Sequence, residues 1–187
     1  DLTHASIYAS LLLAYLHHIS GNTTLRLGMP FAHRSTEAFQ RTPGPFIEVI
    51  SISVEIAPDD NFYTLTKAVQ TAMLRALQQM QPGIATADHN RAYDVLLNYL
   101  TPQFPDFAGL PTTTRWVHSG YGDSAHKLRV QVHDFNAAGH KHIDFDFNTG
   151  VFTPATEELA LTHFQCTLDF CAAQPETPLS QMSLLSE

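Results

Sequence analysis

The feature that most narrows the possible folds is a pair of alternating runs, His126 to Phe135 and His140 to Asn148, separated by Asn136-Ala137-Ala138-Gly139. Period-two alternation marks half-buried strands, and a short loop containing Gly between two such runs marks a hairpin. Pairing the runs about that loop sets Val132 against Ile143, Val130 against Phe145 and Leu128 against Phe147, with Arg129 against Asp146 on the other face. A slip of one residue would turn every apolar side chain to the opposite face. The chosen register pairs apolar with apolar and cation with anion, so it is self-consistent. A sheet with one apolar face then needs a second layer to cover it.

Helices supply that layer. Thr3 is placed to cap a helix running to about His18, and Gly21 suits a left-handed cap at its end. Leu11, Leu12, Leu13, Ala14, Tyr15 and Leu16 make this helix apolar nearly all round, so it must be buried on several sides. A second helix spans Phe62 to Met80, with Phe62, Leu65, Val69, Met73, Ala76, Leu77 and Met80 recurring at steps of three and four. Met in such a stripe reads as core filler rather than as a cofactor box. Thr153 and Pro154 begin a third helix, with Glu157 and Glu158 at its positive end. Leu161, Phe164, Leu168 and Cys171 form its buried stripe, and Gln174 to Pro178 end it.

Two further runs, Thr24 to Phe31 and Phe46 to Ile56, are strand-like, and the second is dense in β-branched residues. The segment between them, Ser35 to Pro45, carries Pro43, Gly44 and Pro45 and is expected to hold no regular element. Ile84 to Arg91 reads as irregular, Tyr93 to Leu100 as a strand, and Thr101 to Pro111, with three prolines, as a loop. Thr112 to Ser119, with Trp116 in its middle, reads as another strand. The order αββαββββα predicts an α/β sandwich, a sheet with helices packed on it.

The 187 residues suit one domain, and 44% hydrophobic content supports a real core. With 18 acidic against 10 basic residues, and no cluster of Lys or Arg, a nucleic-acid surface is excluded. No run of apolar residues is long enough to span a bilayer. Cys166 and Cys171 are spaced for neither a disulfide nor a Cys-x-x-Cys site, which points to a reducing, cytoplasmic setting. The chain begins at Asp1 and enters an apolar helix almost at once, so it reads as a piece of something longer.

Among chemistry-bearing clusters, His140, His142, Asp144 and Asp146 alternate along one strand and share a face. Neighbours on that face stand about 7 Å apart, which is long for two ligands of one ion. A solvated strand face is therefore expected and no metal is called, although His133 opposite His142 leaves metal binding open. No Gly-rich phosphate loop and no Gly-x-Ser-x-Gly elbow occur.

Six segments, in order, resemble the C-terminal half of a nonribosomal peptide synthetase condensation domain. They are Leu16-His17-His18-Ile19-Ser20-Gly21-Asn22; Leu27-Gly28-Met29-Pro30-Phe31-Ala32-His33-Arg34, similar to Gly-x-Pro-x-x-x-Arg; and Gly44-Pro45-Phe46-Ile47-Glu48-Val49, at a Gly-x-Phe-Val-Asn-Thr motif. Asp94 to Tyr99, Phe145 to Phe152 and Pro178 to Glu187 complete the set. Glu48 and Val49 stand where that family has Asn and Thr, which suggests a divergent subclass. His17-His18-Ile19-Ser20-Gly21-Asn22-Thr23 imitates the family's His-His-x-x-x-Asp-Gly, but Asn22 and Thr23 replace Asp and Gly, and the segment lies at a helix end.

The resemblance implies a lobe similar to chloramphenicol acetyltransferase, a mixed sheet with helices packed on it. In such domains two lobes enclose a tunnel entered by phosphopantetheine arms of carrier proteins. This chain would be the C-terminal lobe, with residues 179–187 starting a linker to a following domain. It would bind no cofactor directly and hold no catalytic residue of its own. Its implied partners are an N-terminal condensation lobe, peptidyl carrier proteins and an adjacent adenylation domain. The implied reaction is amide-bond formation between carrier-bound substrates. Pro45, Phe46, Glu48 and Asn98 are the candidates for lining the tunnel. Two other readings stay open: a non-catalytic docking platform for a carrier or tailoring protein, and an acyltransferase acting on acyl coenzyme A.

Overall fold

The computed structural model describes residues 1–32, 34, 36–44, 46–79, 92–104, 106–117 and 125–185. Its elements are α1 (His4–Ser20), β1 (Thr24–Ala32), α2 (Glu37–Arg41), β2 (Ile47–Glu55), α3 (Phe62–Gln79), β3 (Val95–Tyr99), β4 (Leu128–His133), β5 (His142–Phe147) and α4 (Pro154–Ala173), with a 3-10 turn at Leu179–Gln181. One mixed sheet has the order β2-β1-β3-β4-β5. β1 runs antiparallel to β2 and parallel to β3, β3 parallel to β4, and β4 antiparallel to β5.

Helices α1, α3 and α4 cover one face of this sheet. Leu27, Met29, Ile52, Val54, Leu97, Val130 and Val132 project into the layer they form. α1 packs against both α3 and α4 as well as β1. That central place explains why it is apolar on every side: Leu11, Leu12, Leu13 and Ala14 are all buried. Its N-terminus is capped by Thr3 Oγ1 accepting from Ser6 N, and Gln70 of α3 accepts from Thr3 N. A cap of this kind contributes about 1 kcal/mol. At the other end Gly21, at φ 69°, donates to His17 O.

The hairpin forms in the expected register, Leu128↔Phe147 through His133↔His142. Three expectations need correction. Leu161, expected in the buried stripe of α4, is 45% exposed, and Ala160 takes the buried place beside Phe164 and Cys171. Ser35 to Pro45 does contain a regular element, the single-turn helix α2, because Thr36 caps it by accepting from Phe39 N and the prolines come only after it ends. Thr112 to Val117, the described part of the strand expected to reach Ser119, is not a strand. Asn136 holds it instead: Thr114 N donates to Asn136 Oδ1, and Asn136 Nδ2 donates to Thr114 O. The irregular segment expected at Ile84 to Arg91 lies outside the described residues.

The stretch after α4 is docked rather than free. Leu179 N donates to Asp60 O, and Leu179 and Met182 are buried.

Candidate functional site

The sheet face turned away from the helices carries the polar residues. Alternation places Arg26, Gly28, Leu96, Asn98, Arg129, Gln131, His133, Asp144 and Asp146 there. The described part of the connection from β3 to β4 lies against this face: Thr114 is bonded to Asn136, and Thr113 and Trp116 share a cavity wall with His133 and Asp144. Gln131 and His133 are accordingly buried, at 6% and 5% exposure.

A hydrogen-bonded relay runs across three strands. Asn98 Nδ2 donates to Gln131 Oε1 at 3.3 Å, and Gln131 Nε2 donates to Asp146 Oδ2 at 3.3 Å. Beside it, His133 Nε2 donates to Asp144 Oδ2 at 2.8 Å. The His133 ring lies between Phe135, 4.1 Å away between centroids, and His142, 5.5 Å away. His133 Nδ1 is buried without a hydrogen-bond partner. A cavity of about 300 Å3 opens next to this pair, walled by Thr113, Trp116, His133, His142 and Asp144. The strand face expected to be solvated is therefore engaged: Asp144 and Asp146 each accept from a β4 side chain. Among the described residues no group of three or more His, Cys, Asp or Glu side chains is placed to hold a metal ion.

The His133–Asp144 pair was legible only in part. The register sets His133 opposite His142, while Asp144 is the diagonal neighbour two residues on, a distance that long side chains reach.

Of the candidates for lining a tunnel, Glu48 and Asn98 stand on opposite faces of the sheet. Pro45 lies outside the described residues. Phe46 precedes β2, packs on Phe39 at 5.5 Å between centroids, and lies under the Arg34 guanidinium at 4.4 Å. Glu48 is on β2 opposite Phe31, in phase with Ile50 and Ile52, hence on the helix-covered side. Asn98 sits on β3, on the opposite face, and β1 separates the two strands.

Arg34 is the organiser of the β1–β2 connection, a role the sequence marks only as a motif position. Its guanidinium donates to Phe39 O, to Thr42 O at 2.8 Å and to Gly44 O at 2.9 Å. Five donors in a rigid fork allow one side chain to hold three carbonyls. The imidazole of His17 has a similar local duty, with Nδ1 2.7 Å from Asn22 O at the end of α1.

The family profile described as the condensation domain matches residues 1–187. The chain belongs to the condensation-domain family. It is 28% identical over 200 residues to surfactin synthase subunit 1 of Bacillus subtilis (strain 168), covering 98% of this chain and 5% of that protein. It is 22% identical over 160 residues to the nonribosomal peptide synthetase tcpP of Claviceps purpurea (strain 20.1), covering 80% of this chain and 8% of that one. The chain thus spans a small fraction of these relatives.

The fold is similar to a double mutant of the starter condensation domain of rhizomide synthetase RzmA in complex with C8-CoA and Leu-SNAC, with TM-score 0.83, 21% identity, and coverage of 97% of this chain and 43% of that one. A four-domain nonribosomal peptide synthetase, holo-AB3403 bound to AMP and glycine, gives TM-score 0.80 at 17% identity over 100% of this chain and 16% of that one. The mixed sheet with helices packed on it is the architecture these condensation-domain structures share with this chain.

Proposed function

We propose that this chain is the C-terminal lobe of a nonribosomal peptide synthetase condensation domain. The observation that carries the reading is one of coverage. The family profile matches the chain from end to end, yet a starter condensation domain is matched over only 45% of its length. A domain built of two similar lobes is the simple account, and the segments from Leu16 to Glu187 resemble those of the second lobe in order.

In the complete domain the amine nitrogen of one substrate attacks the thioester carbonyl of the other. A C–N bond forms, the C–S bond breaks, and the nitrogen's proton passes to the departing thiol. Orientation supplies much of the acceleration, and a histidine in the other lobe handles the proton. This lobe walls the tunnel in which phosphopantetheine arms of peptidyl carrier proteins meet, with Pro45, Phe46, Glu48 and Asn98 as its lining candidates and an adenylation domain as neighbour. Its polar sheet face, with the Asn98–Gln131–Asp146 relay, offers donors and acceptors rather than a nucleophile. The setting is cytoplasmic.

The test is reconstitution. The purified chain, given carrier-bound thioester and amine substrates, should form no amide by mass spectrometry. The same chain joined to a preceding segment carrying an intact His-His-x-x-x-Asp-Gly should form it. Turnover by the chain alone defeats the reading. Glu48 and Val49 favour one second reading, a non-catalytic platform that docks carriers. Carrier binding without turnover in the reconstituted domain selects it.

A further inference from the structure

We propose that the outer edge of β2, with the groove between β2 and α3, is a docking site that captures an extended acidic segment of a partner protein as an added strand. The inference does not depend on the function proposed above.

β2 lies at the margin of the sheet. Ile56 N donates to Thr23 O, and the ladder pairs Thr24 with Glu55. Alternation in an antiparallel pair then aims the N–H and C=O of Val54, Ile52, Ile50 and Glu48 at β1. Those of Glu55, Ser53, Ser51, Val49 and Ile47 point outward, and among the described residues no strand pairs with them. Natural edges are blunted by lysine, proline, bulges or shortness. β5, the opposite edge, is six residues long and carries His142, Asp144 and Asp146. β2 is nine residues long in an unbroken register, with no Pro, Lys or Gly and acidic residues only near its ends.

Beside this edge runs a groove of about 360 Å3. Ser53, Val54 and Glu55 line its strand side, and Ala68, Thr71 and Ala72 of α3 line its helix side. These small residues leave room for side chains from an incoming strand. Lys67 and Arg75 flank the groove, both exposed on α3. They are eight residues apart, about 12 Å along a helix. Alternate-face positions four residues apart on a strand span about 13 Å. An added strand with a carboxylate at one position, an apolar residue two on and a second carboxylate four on therefore meets Lys67, the small-residue trench and Arg75 in turn. Strand addition between an edge and a helix takes its affinity from main-chain hydrogen bonds and its selectivity from alternate side chains. A second copy of β2 fits poorly, because it would present Glu48, Ile50, Ile52 and Val54 to the groove and only one carboxylate.

The experiment titrates the full chain against fluorescein-labelled Thr-Glu-Thr-Val-Thr-Glu-Thr and reads anisotropy. Saturable binding is expected, at least tenfold weaker when both Glu are replaced by Lys in the peptide. Lys67→Glu with Arg75→Glu should lose the acidic peptide tenfold or more and gain the Lys peptide. Ser53→Pro removes an N–H that β1 does not use and should abolish binding; circular dichroism checks that it folds. If it does not fold, amide shifts confined to Ser51, Ser53 and Glu55 in the unaltered chain take its place. The proposal is overturned by absence of saturation at millimolar peptide, or by binding indifferent to these changes. It is also overturned by a dimer of the chain that Ser53→Pro converts to monomer.

Discussion

Tyr93 covers Gly28: a Cβ built on Gly28 would stand 2.2 Å from Tyr93 Cε2. The ring occupies the space a side chain would need on the polar face of β1, and it stacks on His126 at 5.4 Å between centroids. Gly28→Ala must displace the buried ring. Overpacking of this kind costs about 1–3 kcal/mol. A fall in Tm of roughly 2–4 °C per kcal/mol is expected by calorimetry for a chain of this size. Tyr93→Leu should relieve part of the clash, so the double variant should be more stable than the sum of the singles.

Asp144→Ala and His133→Phe should differ sharply although they break the same contact. The first leaves a buried imidazole with neither nitrogen paired, at a cost of about 1–3 kcal/mol. The second keeps a ring between Phe135 and His142 and leaves only a carboxylate that is 41% exposed. Urea unfolding should rank the phenylalanine variant well above the alanine one.

Arg34→Lys keeps the charge and loses the fork. Its ammonium can hold one carbonyl well where the guanidinium holds those of Phe39, Thr42 and Gly44. Hydrogen exchange of the amides over 36–44 should quicken by about tenfold or more, the equivalent of a single lost charge-assisted bond of about 1.5 kcal/mol. Amides of β4 should be unaffected. Uniform acceleration throughout the chain would contradict the local role.

Acid should loosen the β4–β5 turn. The Ala138 N–H, joined by that of Gly139, holds the Asp134 carboxyl below its ordinary 3.8, with Lys141 nearby. A group depressed in the folded state stabilises it above the unfolded pKa. That contribution is lost as pH falls below about 4 and through the folded value. Asp134→Asn should therefore lower stability at pH 7 and flatten its decline on acidification, measured by Tm against pH.

Alkylation should distinguish the two thiols. Burial pushes Cys171 up to about 12, so no useful thiolate exists at pH 8, while Cys166 is only half-buried. Iodoacetamide should label the native chain once, at Cys166, and twice only after unfolding.

The hairpin was readable to the residue because its faces differ in polarity, so one register satisfied both sides. The burial of α1 was readable for a similar reason: a helix apolar all round has no solvent side. α2 was missed because prolines were allowed to govern the whole connection, when they act only on the residues they follow or precede. The expected strand at Thr112 failed because strand propensity there serves a segment held by Asn136 beside His133, and among the described residues no strand pairs with 112–117. Glu48 and Asn98, drawn from motifs, fell on opposite faces. Motif position fixes a place along the chain, while the pleat decides the side.

The return of the chain after α4 has a mechanical consequence. Pro178 bridges Asn61, Leu179 N is bound to Asp60 O, Asn61 Nδ2 donates to Glu176 O and Tyr63 N to Pro175 O. Tension applied past Met182 is borne first by the bend between β2 and α3, more than a hundred residues earlier in the sequence. Whatever tugs on that end of the polypeptide pulls at the root of α3 before it can peel α4.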